Sequence, residues 1–240
     1  VLSEFGVAGQ ERLKAAKVLV VGGGGLGSAA SLYLAATGVG TLALVDFDKV
    51  DLSNLQRQVL YGSADIGRSK ALRGQARLQE LNPDISIVAH DCEVTAGNVM
   101  DLIRPYHLVV DGTGRLSTRY QVNDACVLQR KMLVSAAIHR FEGQTFSYVP
   151  ECGPCYRCIF PSAGEGVTPN CAEAGVLGVL PGILGTVQAT EAIKLLAGFG
   201  EPLIGRLLTV DALTMRFDEF KVTRRADCAV CGDQPTIRAP

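Results

Sequence analysis

The sequence predicts an α/β fold: a mostly parallel sheet with helices on both faces. Three observations support this prediction. Short apolar runs alternate with helical stretches through about the first 140 residues, a glycine-rich turn joins the first run to a helix, and two of the runs end in aspartate. Strands that alternate with helices are typical of parallel sheets, which bind ligands at the carboxyl ends of their strands. We therefore expect the binding site at that edge of the sheet.

The first predicted unit is a strand, a turn, a helix and a second strand. The run Lys17–Val21 is apolar and β-branched, as expected of a strand buried on both faces. Leu26–Ala36 is rich in alanine and leucine, and Gly38 follows where a helix would end. Thr41–Asp46 is the second predicted strand. This order is the Rossmann-like βαβ unit.

The same alternation continues along the chain. Further helices are predicted at Ser69–Leu81, Ala96–Arg104 and Thr118–Arg130, and further strands at Ile85–Ala89, His107–Asp111 and Met132–Ala137. Beyond Phe141 the elements are a strand at Gln144–Val149, a Cys-, Gly- and Pro-rich stretch, a helix from about Ile183 to Ala197, and a strand at Arg206–Val210. We interpret this tail as an antiparallel extension packed on the sheet, within a single domain.

The composition is that of a globular protein with balanced charge. Of 240 residues, 48% are hydrophobic, and 23 basic residues face 24 acidic ones, for a formal net charge of −1. No nucleic-acid partner is expected, because there is no basic excess. The uncharged stretch between Lys17 and Asp46 holds 28 residues, but seven are glycines, so no membrane span is expected. The chain shows no secretory signal and begins at Val1, so we expect a trimmed N-terminus.

A glycine pattern follows the first predicted strand directly. Gly22, Gly24 and Gly27 fit G-x-G-x-x-G, and Asp46 lies 19 residues after Gly27. Such glycines let a phosphate approach backbone N–H groups at the start of a helix, and the acid accepts hydrogen bonds from ribose hydroxyls. The pattern indicates an adenosine-containing ligand without separating NAD from ATP. The alternative, close helix–strand packing without a ligand, is disfavoured in this context.

Polar and basic residues after the second strand favour ATP. Ser53–Gln58 reads S-N-L-Q-R-Q, and Gly67–Lys70 opens the next helix. The amide of Asn54, the guanidinium of Arg57 and the ammonium of Lys70 are suited to bind a triphosphate and neutralise a leaving pyrophosphate. A nicotinamide enzyme would not need this positive charge. The alternative is that Arg57 and Lys70 are solvated surface charges.

The eight cysteines are expected to be reduced thiols in the cytoplasm, because no secretory signal accompanies them. Cys155 and Cys158 form one C-x-x-C pair, and Cys228 and Cys231 form another, a spacing that suits a closed tetrahedral zinc site. Cys152 also forms a C-x-x-C with Cys155, so spacing alone leaves the ligand choice open. A redox pair is disfavoured, because neither pair is predicted to follow a strand at the start of a helix.

Cys171 is the candidate for an exposed, reactive thiol, because it lies in a polar, glycine-flanked stretch. A lone cysteine is more often a small buried hydrophobic residue, and that interpretation suits Cys92 and Cys126. The sequence contains neither a Walker-type P-loop nor a G-x-S-x-G elbow, which excludes P-loop hydrolysis and α/β-hydrolase chemistry.

The ordered set of these motifs resembles the MoeB/ThiF family, the bacterial relatives of ubiquitin-activating enzymes. The resemblance covers nearly the whole chain, and the segments S-N-L-Q-R-Q and P-C-Y-R-C are its most specific parts. The matching motifs are Gly22–Gly27, Val45–Asp48, Ser53–Gln58, Gly67–Lys70, Pro154–Cys158 and Cys228–Cys231.

The resemblance implies a homodimeric adenylyltransferase that uses ATP and Mg²⁺ and contains Zn²⁺. Its substrate would be the C-terminal Gly-Gly carboxylate of a ubiquitin-like sulfur-carrier protein of the MoaD/ThiS type. A sulfur donor of the rhodanese or cysteine desulfurase type would then complete a thiocarboxylate, as in molybdenum cofactor or thiamine biosynthesis. Residues 1–240 would form one adenylation domain, with a nucleotide-binding part at 1–140 and a zinc-containing, carrier-binding extension at 141–240.

The resemblance also implies the site residues by position. It assigns catalytic roles to Asn54, Arg57, Lys70 and Cys171, the last of which matches the family's conjugating cysteine. The zinc ligands would be Cys155, Cys158, Cys228 and Cys231. The ATP-binding residues would be Gly22, Gly24, Gly25, Gly27, Asp46, Ser53, Asn54, Leu55, Gln56, Arg57, Lys70, Gly114 and Arg115.

Two features depart from the family pattern. The family's Arg-containing segment before Gly6–Gln10 is absent here. The family's Asp-Asn in the turn after Asp111 is replaced by Gly114 and Arg115, so the carboxylate expected to act with Mg-ATP is missing. A second hypothesis is therefore a weakened module that binds nucleotide and carrier without turnover. A third, less favoured, is an NAD-dependent oxidoreductase.

Overall fold

The centre of the molecule is a mixed sheet. The structure is a computed structural model that describes residues 2–161 and 175–240. The strands in these ranges are β1 (Lys17–Val21), β2 (Thr41–Val45), β3 (Ser86–His90), β4 (Leu108–Asp111), β5 (Met132–His139), β6 (Glu142–Tyr148), β7 (Arg206–Asp211) and β8 (Arg216–Lys221). Their order in the sheet is β3-β2-β1-β4-β5-β6-β7-β8. The first five are parallel, and the last three continue antiparallel from β5.

Helices cover both faces of the parallel part. They are α1 (Gly6–Ala15), α2 (Gly25–Ala36), α3 (Lys70–Leu81), α4 (Val99–Ile103), α5 (Leu116–Leu128), α6 (Tyr156–Ile159) and α7 (Leu180–Ala197), with 3₁₀ turns at Leu52–Asn54 and Ser63–Asp65. None of the helices in the described ranges combines the length and hydropathy that crossing a membrane requires.

The central strands are apolar throughout because both of their faces are buried. In β1, Val18 and Val20 pack into the core formed with α1, α2, α3 and α7, whereas Leu19 and Val21 pack into the core formed with α4, α5 and α6. All four residues are 3% exposed or less. Full burial of such a side chain contributes about 1.5–3 kcal/mol, so these runs anchor the fold. The two-faced parallel sheet predicted from the sequence is confirmed.

The C-terminal extension differs from the prediction in one respect. Strands β6 to β8 do not pack on the sheet but add to its edge, beginning with a tight β5–β6 hairpin that pairs His139 with Glu142. Antiparallel strands need only such a short connection, whereas a further parallel strand would need a crossover. Strand β8 was not predicted, because its side chains are mostly exposed and its sequence, R-F-D-E-F-K, has no apolar face.

Local hydrogen bonds explain the helix ends. Ser69 caps α3 by accepting a hydrogen bond from Leu72 N at 3.3 Å, so this helix begins one residue later than predicted. The helix predicted at Ala96–Arg104 is shortened, because Asn98 Oδ1 accepts from Thr95 N at 2.8 Å and closes a turn before Val99. Helix α1 was not predicted; only Gly9 and Leu13 of its residues are buried.

Candidate functional site

A crevice of about 1140 Å³ opens at the carboxyl ends of the parallel strands. Segments that follow four of the strands line it: Gly22 and Gly24–Leu26 after β1, Asp46–Asp48 after β2, Cys92–Val94 after β3 and Gly112–Arg115 after β4. Parallel α/β sheets bind ligands at this edge. The volume exceeds the range of about 300–1,000 Å³ typical of small-molecule pockets.

The glycine turn brings the start of α2 against the end of β1. Gly22 has a φ of 89°, which favours glycine, and a Cβ on Gly27 would lie 1.8 Å from the carbonyl oxygen of Gly22. The helix can therefore begin directly on the turn only with glycine at both positions. Gly24 is the N-cap of α2. Gly25 and Leu26 of the first helical turn line the crevice, and the N–H groups of a first helical turn lack intrahelical partners, which makes a site for an anion.

Asp46 joins the end of β2 to this turn. One carboxylate oxygen accepts from Gly23 N at 2.7 Å and the other from Asp48 N at 2.8 Å. Burial raises the pKa of Asp46, while the positive charge of Lys70 acts in the opposite direction. The carboxylate lines the crevice, and its remaining lone pairs are available to the hydroxyls of a ribose.

Asn54, Arg57 and Lys70 line the same crevice as the glycine turn. The side chain of Lys70 is only 5% exposed, and its Nζ lies 3.3 Å from Asp48 Oδ2. Arg57 is half-buried and donates to the carbonyl of Ser53 at 3.2 Å. A lysine buried to this degree is not a solvated surface charge. The structure thus brings together the three polar residues that the sequence selected.

Four predicted nucleotide-binding residues do not line the crevice. Gly27 packs on the glycine turn, and Ser53 bonds through its hydroxyl to Asp51 at 2.5 Å. Leu55 packs against the hydrophobic core. Gln56 packs against Gly178, in the segment that precedes α7. A Cβ added to Gly178 would lie 2.2 Å from the side-chain oxygen of Gln56.

Gln58 lines the crevice but was not selected from the sequence. It is 4% exposed, and among the described residues its Oε1 finds no hydrogen-bond partner. Leaving a buried polar atom unpaired costs about 1–3 kcal/mol, so such a group at a crevice wall is typical of a ligand-binding position. Its place beside Arg57 in S-N-L-Q-R-Q was the available signal.

The turn after β4 lacks a carboxylate that faces the crevice. Asp111 is fully buried, and its carboxylate accepts from Thr113 N at 3.0 Å and from Ser135 Oγ at 2.9 Å, with Arg119 Nε at 3.4 Å. Burial raises the pKa of Asp111, and the charge of Arg119 lowers it. Asp111 therefore cannot replace the missing residue at Gly114, where an added Cβ would meet no atom within 4 Å.

The donor set of the crevice fits a nucleotide with magnesium. Mg²⁺ is usually held by one or two carboxylates together with phosphate oxygens. Asp48 offers such a carboxylate, since its side chain is 53% exposed, lines the crevice and lies beside Lys70.

Four cysteine thiols form the candidate metal centre predicted from the two C-x-x-C pairs. The Sγ atoms of Cys155, Cys158, Cys228 and Cys231 all lie within 4.8 Å of one another. Individual separations are 3.6 Å for Cys155–Cys228 and 3.3 Å for Cys158–Cys231. Tetrahedral zinc with Zn–S bonds of about 2.3 Å implies S–S separations near 3.8 Å, so the arrangement fits this metal. Cys152 is exposed and lies outside the cluster.

The first C-x-x-C pair differs from the prediction in its local structure. Cys155 is the N-cap of the short helix α6, so its pair does stand at the start of a helix. The convergence of four thiols, rather than the absence of a helix, is what distinguishes the site from a redox pair.

The remaining cysteines differ in their positions. Cys126 is fully buried, as expected. Cys92 is half-buried: it packs against the hydrophobic core, as expected in part, but it also lines the crevice, and burial raises the pKa of its thiol. Cys171 lies outside the described residues.

Comparison with known proteins gives the same family as the motifs. Residues 1–230 match the ThiF family. This chain belongs to the ThiF family. It is 50% identical over 244 residues to the sulfur carrier protein adenylyltransferase of Thermus thermophilus, covering 99% of this chain and 90% of the relative.

Two other relatives of this ThiF-family chain are similarly close. It is 48% identical over 234 residues to the SAMP-activating enzyme E1 of Haloferax volcanii, covering 97% of this chain and 86% of that protein. It is 51% identical over 239 residues to the adenylyltransferase and sulfurtransferase MOCS3 of Mus musculus, covering 98% of this chain. The chain spans only 52% of MOCS3, about half its length.

Solved structures support the ThiF-family fold. The E. coli protein MccB with MccA-N7isoASN superimposes with a TM-score of 0.86 at 24% sequence identity, covering 94% of this chain and 70% of that chain. MccB with ATP gives a TM-score of 0.83 at 24% identity, covering 94% and 69%. At this identity the likeness establishes the fold.

Proposed function

We propose that this chain adenylates the C-terminal glycine carboxylate of a ubiquitin-like sulfur-carrier protein with ATP, which prepares it for thiocarboxylate formation. The observation that carries the proposal is the meeting of the glycine turn, Asp46, Asn54, Arg57 and Lys70 in one crevice. Support comes from a relative that is half identical, is covered over 90% of its length and is named a sulfur carrier protein adenylyltransferase.

The reaction needs alignment and charge neutralisation more than covalent catalysis. The carrier's carboxylate attacks the α-phosphorus, the bond to the β-phosphate oxygen breaks, and pyrophosphate leaves with the electron pair. The N–H groups at the start of α2 hold phosphate oxygens, Asp46 orients the ribose, and Arg57 and Lys70 neutralise the leaving pyrophosphate. Asp48 would hold the magnesium ion, which would further neutralise the phosphates. Positioning of this kind lowers barriers by up to about 7–11 kcal/mol.

Zinc is proposed as a structural metal on Cys155, Cys158, Cys228 and Cys231. Four thiolates complete a tetrahedral shell, which leaves no open position for a substrate. The four cysteines lie at the start of and within α6 and in the chain after β8, so a zinc ion held by them would tie these two segments together.

The same proposal extends to organisation and partners. Residues 1–240 act as one adenylation domain, in which 1–140 bind the nucleotide and 141–240 carry the zinc and contact the carrier. The enzyme works as a homodimer in the cytoplasm, where its thiols stay reduced, and a rhodanese or cysteine desulfurase donates sulfur. The name MOCS3 among the relatives supports molybdenum cofactor biosynthesis as one pathway; thiamine biosynthesis is the other candidate.

A weakened nucleotide- and carrier-binding module is the second candidate. It is favoured by one observation: Asp111 is buried and engaged, and Gly114 offers no side chain, so the turn after β4 presents no carboxylate to magnesium.

The test is carrier-dependent exchange of labelled pyrophosphate into ATP. We expect exchange with a ubiquitin-like sulfur carrier that ends in Gly-Gly and none with the same carrier lacking those two residues. ATP binding without exchange would favour the weakened module. Binding of NAD with no response to ATP would contradict both and favour an oxidoreductase.

A further inference from the structure

Tyr61 lies behind the glycine turn rather than in the crevice. It is 7% exposed, packs in the hydrophobic core and does not itself line the crevice. Its hydroxyl donates to the carbonyl of Gly23 at 2.9 Å. Burial and the negative charge of Asp46 raise the pKa of Tyr61, so its hydroxyl keeps the proton that it donates. The glycine turn is therefore held from the core side by a side chain that does not face the ligand.

Gly23 is the glycine of this turn that the G-x-G-x-x-G pattern does not explain. A Cβ added to Gly23 would lie 2.5 Å from Tyr61 Oη, and its φ is not in the left-handed region. The close approach of the tyrosine, and not the backbone conformation, therefore requires glycine here. Gly23 N also donates to Asp46 Oδ2 at 2.7 Å. The residue is thus held through its N–H by Asp46 and through its C=O by Tyr61.

The hydrogen bond from Tyr61 orients the peptide group that joins Gly23 to Gly24. The peptide bonds of the described residues are all trans, and in a trans peptide the C=O and the N–H point in opposite directions. Because the carbonyl of Gly23 points toward Tyr61, the N–H of Gly24 points away from it. Gly24 lines the crevice, and within the described residues its N–H has no acceptor. This N–H is therefore available to an anion in the crevice.

The orientation of this peptide group is costly to fix, because four glycines follow one another at Gly22–Gly25. Glycine loses more conformational freedom on ordering than any other residue. A hydroxyl that holds the carbonyl before a ligand arrives removes part of this cost from binding. Ser28 Oγ donates to the same carbonyl oxygen, but at the longer distance of 3.3 Å. Tyr61 therefore makes the shorter of the two bonds that restrain the peptide.

We propose that Tyr61 is a positioning residue of the glycine turn: its hydroxyl fixes the peptide group between Gly23 and Gly24 so that the N–H of Gly24 donates to a phosphate oxygen of bound ATP. The inference rests on the proposed function, because it takes the triphosphate of ATP as the ligand of this turn. Tyr61 acts only through the peptide group. Without the hydroxyl, the peptide rotates more freely, and its ordering adds to the cost of binding.

The variant Tyr61→Phe removes the hydroxyl and keeps the ring. Calorimetry on the full chain measures the Kd of ATP and of inorganic tripolyphosphate. We expect Tyr61→Phe to raise both Kd values about fivefold, equivalent to about 1 kcal/mol, because both ligands carry the phosphates. If neither Kd changes, the hydroxyl does not position the turn. A rise for ATP alone would place the effect at the nucleoside and would also overturn the proposal.

Tyr106→Phe is the matched control. Tyr106 is 5% exposed, its hydroxyl lies 2.9 Å from His90 Nε2, and it does not line the crevice. Urea denaturation should show a similar loss of stability in both variants, because each loses one buried hydrogen bond. Only Tyr61→Phe should weaken the binding of tripolyphosphate. Equal weakening by both variants would reflect a general loss of stability and would overturn the positioning role.

NMR of the chain with isotope-labelled glycine tests the peptide group directly. We expect the amide signal of Gly24 to move when tripolyphosphate is added to the unaltered chain, and to be broadened in Tyr61→Phe before any ligand is added. Ser28→Ala, which removes the longer bond to the same carbonyl, should broaden the signal less. A larger effect of Ser28→Ala would assign the orientation to Ser28, and a Gly24 signal that tripolyphosphate does not move would exclude the proposed contact.

The outcomes also separate this inference from the proposed function. If the unaltered chain supports carrier-dependent exchange while Tyr61→Phe binds both ligands normally, only the role of Tyr61 is wrong. If Tyr61→Phe weakens tripolyphosphate binding but the unaltered chain supports no exchange with a Gly-Gly carrier, Tyr61 positions the turn and the proposed adenylation is wrong.

Discussion

Lys70 shows how the surroundings of a single residue bear on its role. A lysine whose side chain is 5% exposed loses most of its hydration, and its neighbour Asp48 is itself largely open to solvent at 53%. The charge of Lys70 also acts on the buried carboxylate of Asp46, so the two acids hold the ammonium at the wall of the crevice, where it can contact an anionic ligand. Arg57 is half-buried and lines the same crevice, so the positive charges of Arg57 and Lys70 are expected to act on one ligand.

The first prediction is that Arg57→Ala and Lys70→Ala each lower kcat/KM for ATP at least tenfold in the exchange assay. Loss of a charge-assisted contact in the transition state accounts for this, whereas a surface charge is worth about 0–1 kcal/mol. The control is Arg77→Ala on α3, whose side chain is 51% exposed and lies 3.8 Å from Glu80. Unchanged kinetics in both crevice variants would return Arg57 and Lys70 to the class of surface charges.

The second prediction concerns Gly114. We expect Gly114→Asp to raise carrier-dependent exchange at least about tenfold, or about 1.4 kcal/mol, by adding a carboxylate for magnesium. The position tolerates the change, because a Cβ there meets no atom within 4 Å and its φ is not in the left-handed region. Gly114→Asn is the control, since it has nearly the same shape without the charge. If the unaltered chain already exchanges pyrophosphate as fast as the Gly114→Asp variant, Gly114 does not stand at the position of the family's magnesium-binding Asp.

At the scale of elements, the contact between α2 and α7 decides how the crevice is built. Gly25 begins α2, and a Cβ on it would lie 2.8 Å from Cβ of Pro181 near the start of α7. The two helix starts approach this closely only because Gly25 has no side chain. The residue that the sequence assigned to ATP therefore also has a packing role.

The third prediction follows from that contact. Gly25→Ala should lower the free energy of unfolding by about 1–3 kcal/mol, despite the higher helix propensity of alanine, because it overpacks a tight site. Gly182→Ala is the matched control: it lies one residue after Pro181, has nothing within 4 Å of an added Cβ and should be neutral or stabilising by up to about 1 kcal/mol. Urea denaturation measures both. Equal changes in the free energy of unfolding for the two variants would show that helix propensity, and not packing against Pro181, determines the effect of Gly25→Ala.

The fourth prediction concerns the segments joined by the cysteines. Cys152→Ser should retain one zinc per chain by metal analysis, and Cys158→Ser should lose it and lower the Tm. Cys158 also accepts from Arg225 N at 3.4 Å, a backbone bond typical of a zinc-bound thiolate. Loss of metal from the Cys152 variant, with retention in the Cys158 variant, would overturn the ligand assignment.

At the scale of the whole molecule, the sheet runs without a break from the strands that end at the crevice to the C-terminal strands. Residues 133–139 of β5 pair with β6, and β5 also pairs with β4, which ends at the crevice. Helix α7 contributes to the core beneath β1, and its Gln188 donates to the carbonyl of Asp111 at 2.7 Å. Neither half therefore has a separate core.

The fifth prediction is a single cooperative unfolding transition. If ATP binds within 1–140 and zinc within 141–240, as proposed, ATP should raise the Tm of the same transition that a chelator lowers by removing zinc. Differential scanning calorimetry of the full chain measures this. Two transitions, one sensitive only to ATP and the other only to the chelator, would divide the chain into two domains near residue 141.

Much of the fold could be predicted from the sequence, because the patterns that indicate its buried strands are local. The strands β1, β2 and β4 were predicted within a residue, since a strand buried on both faces must be apolar at every position. Strand β8 and helix α1 were not predicted, because elements that are mostly exposed leave no strong apolar pattern in the sequence.

By itself, the sequence determined the parallel α/β fold, the family, the glycine-rich turn and the two cysteine pairs, because each depends on residues adjacent in the chain or at a regular spacing. Only the tertiary structure decided that Cys152 lies outside the metal cluster, that Asp111 turns inward to Arg119, and that Arg115 meets Phe47 and Glu93. These outcomes depend on which side chains from distant segments share one volume. The packing of the strands and helices sets that geometry, and no local pattern records it.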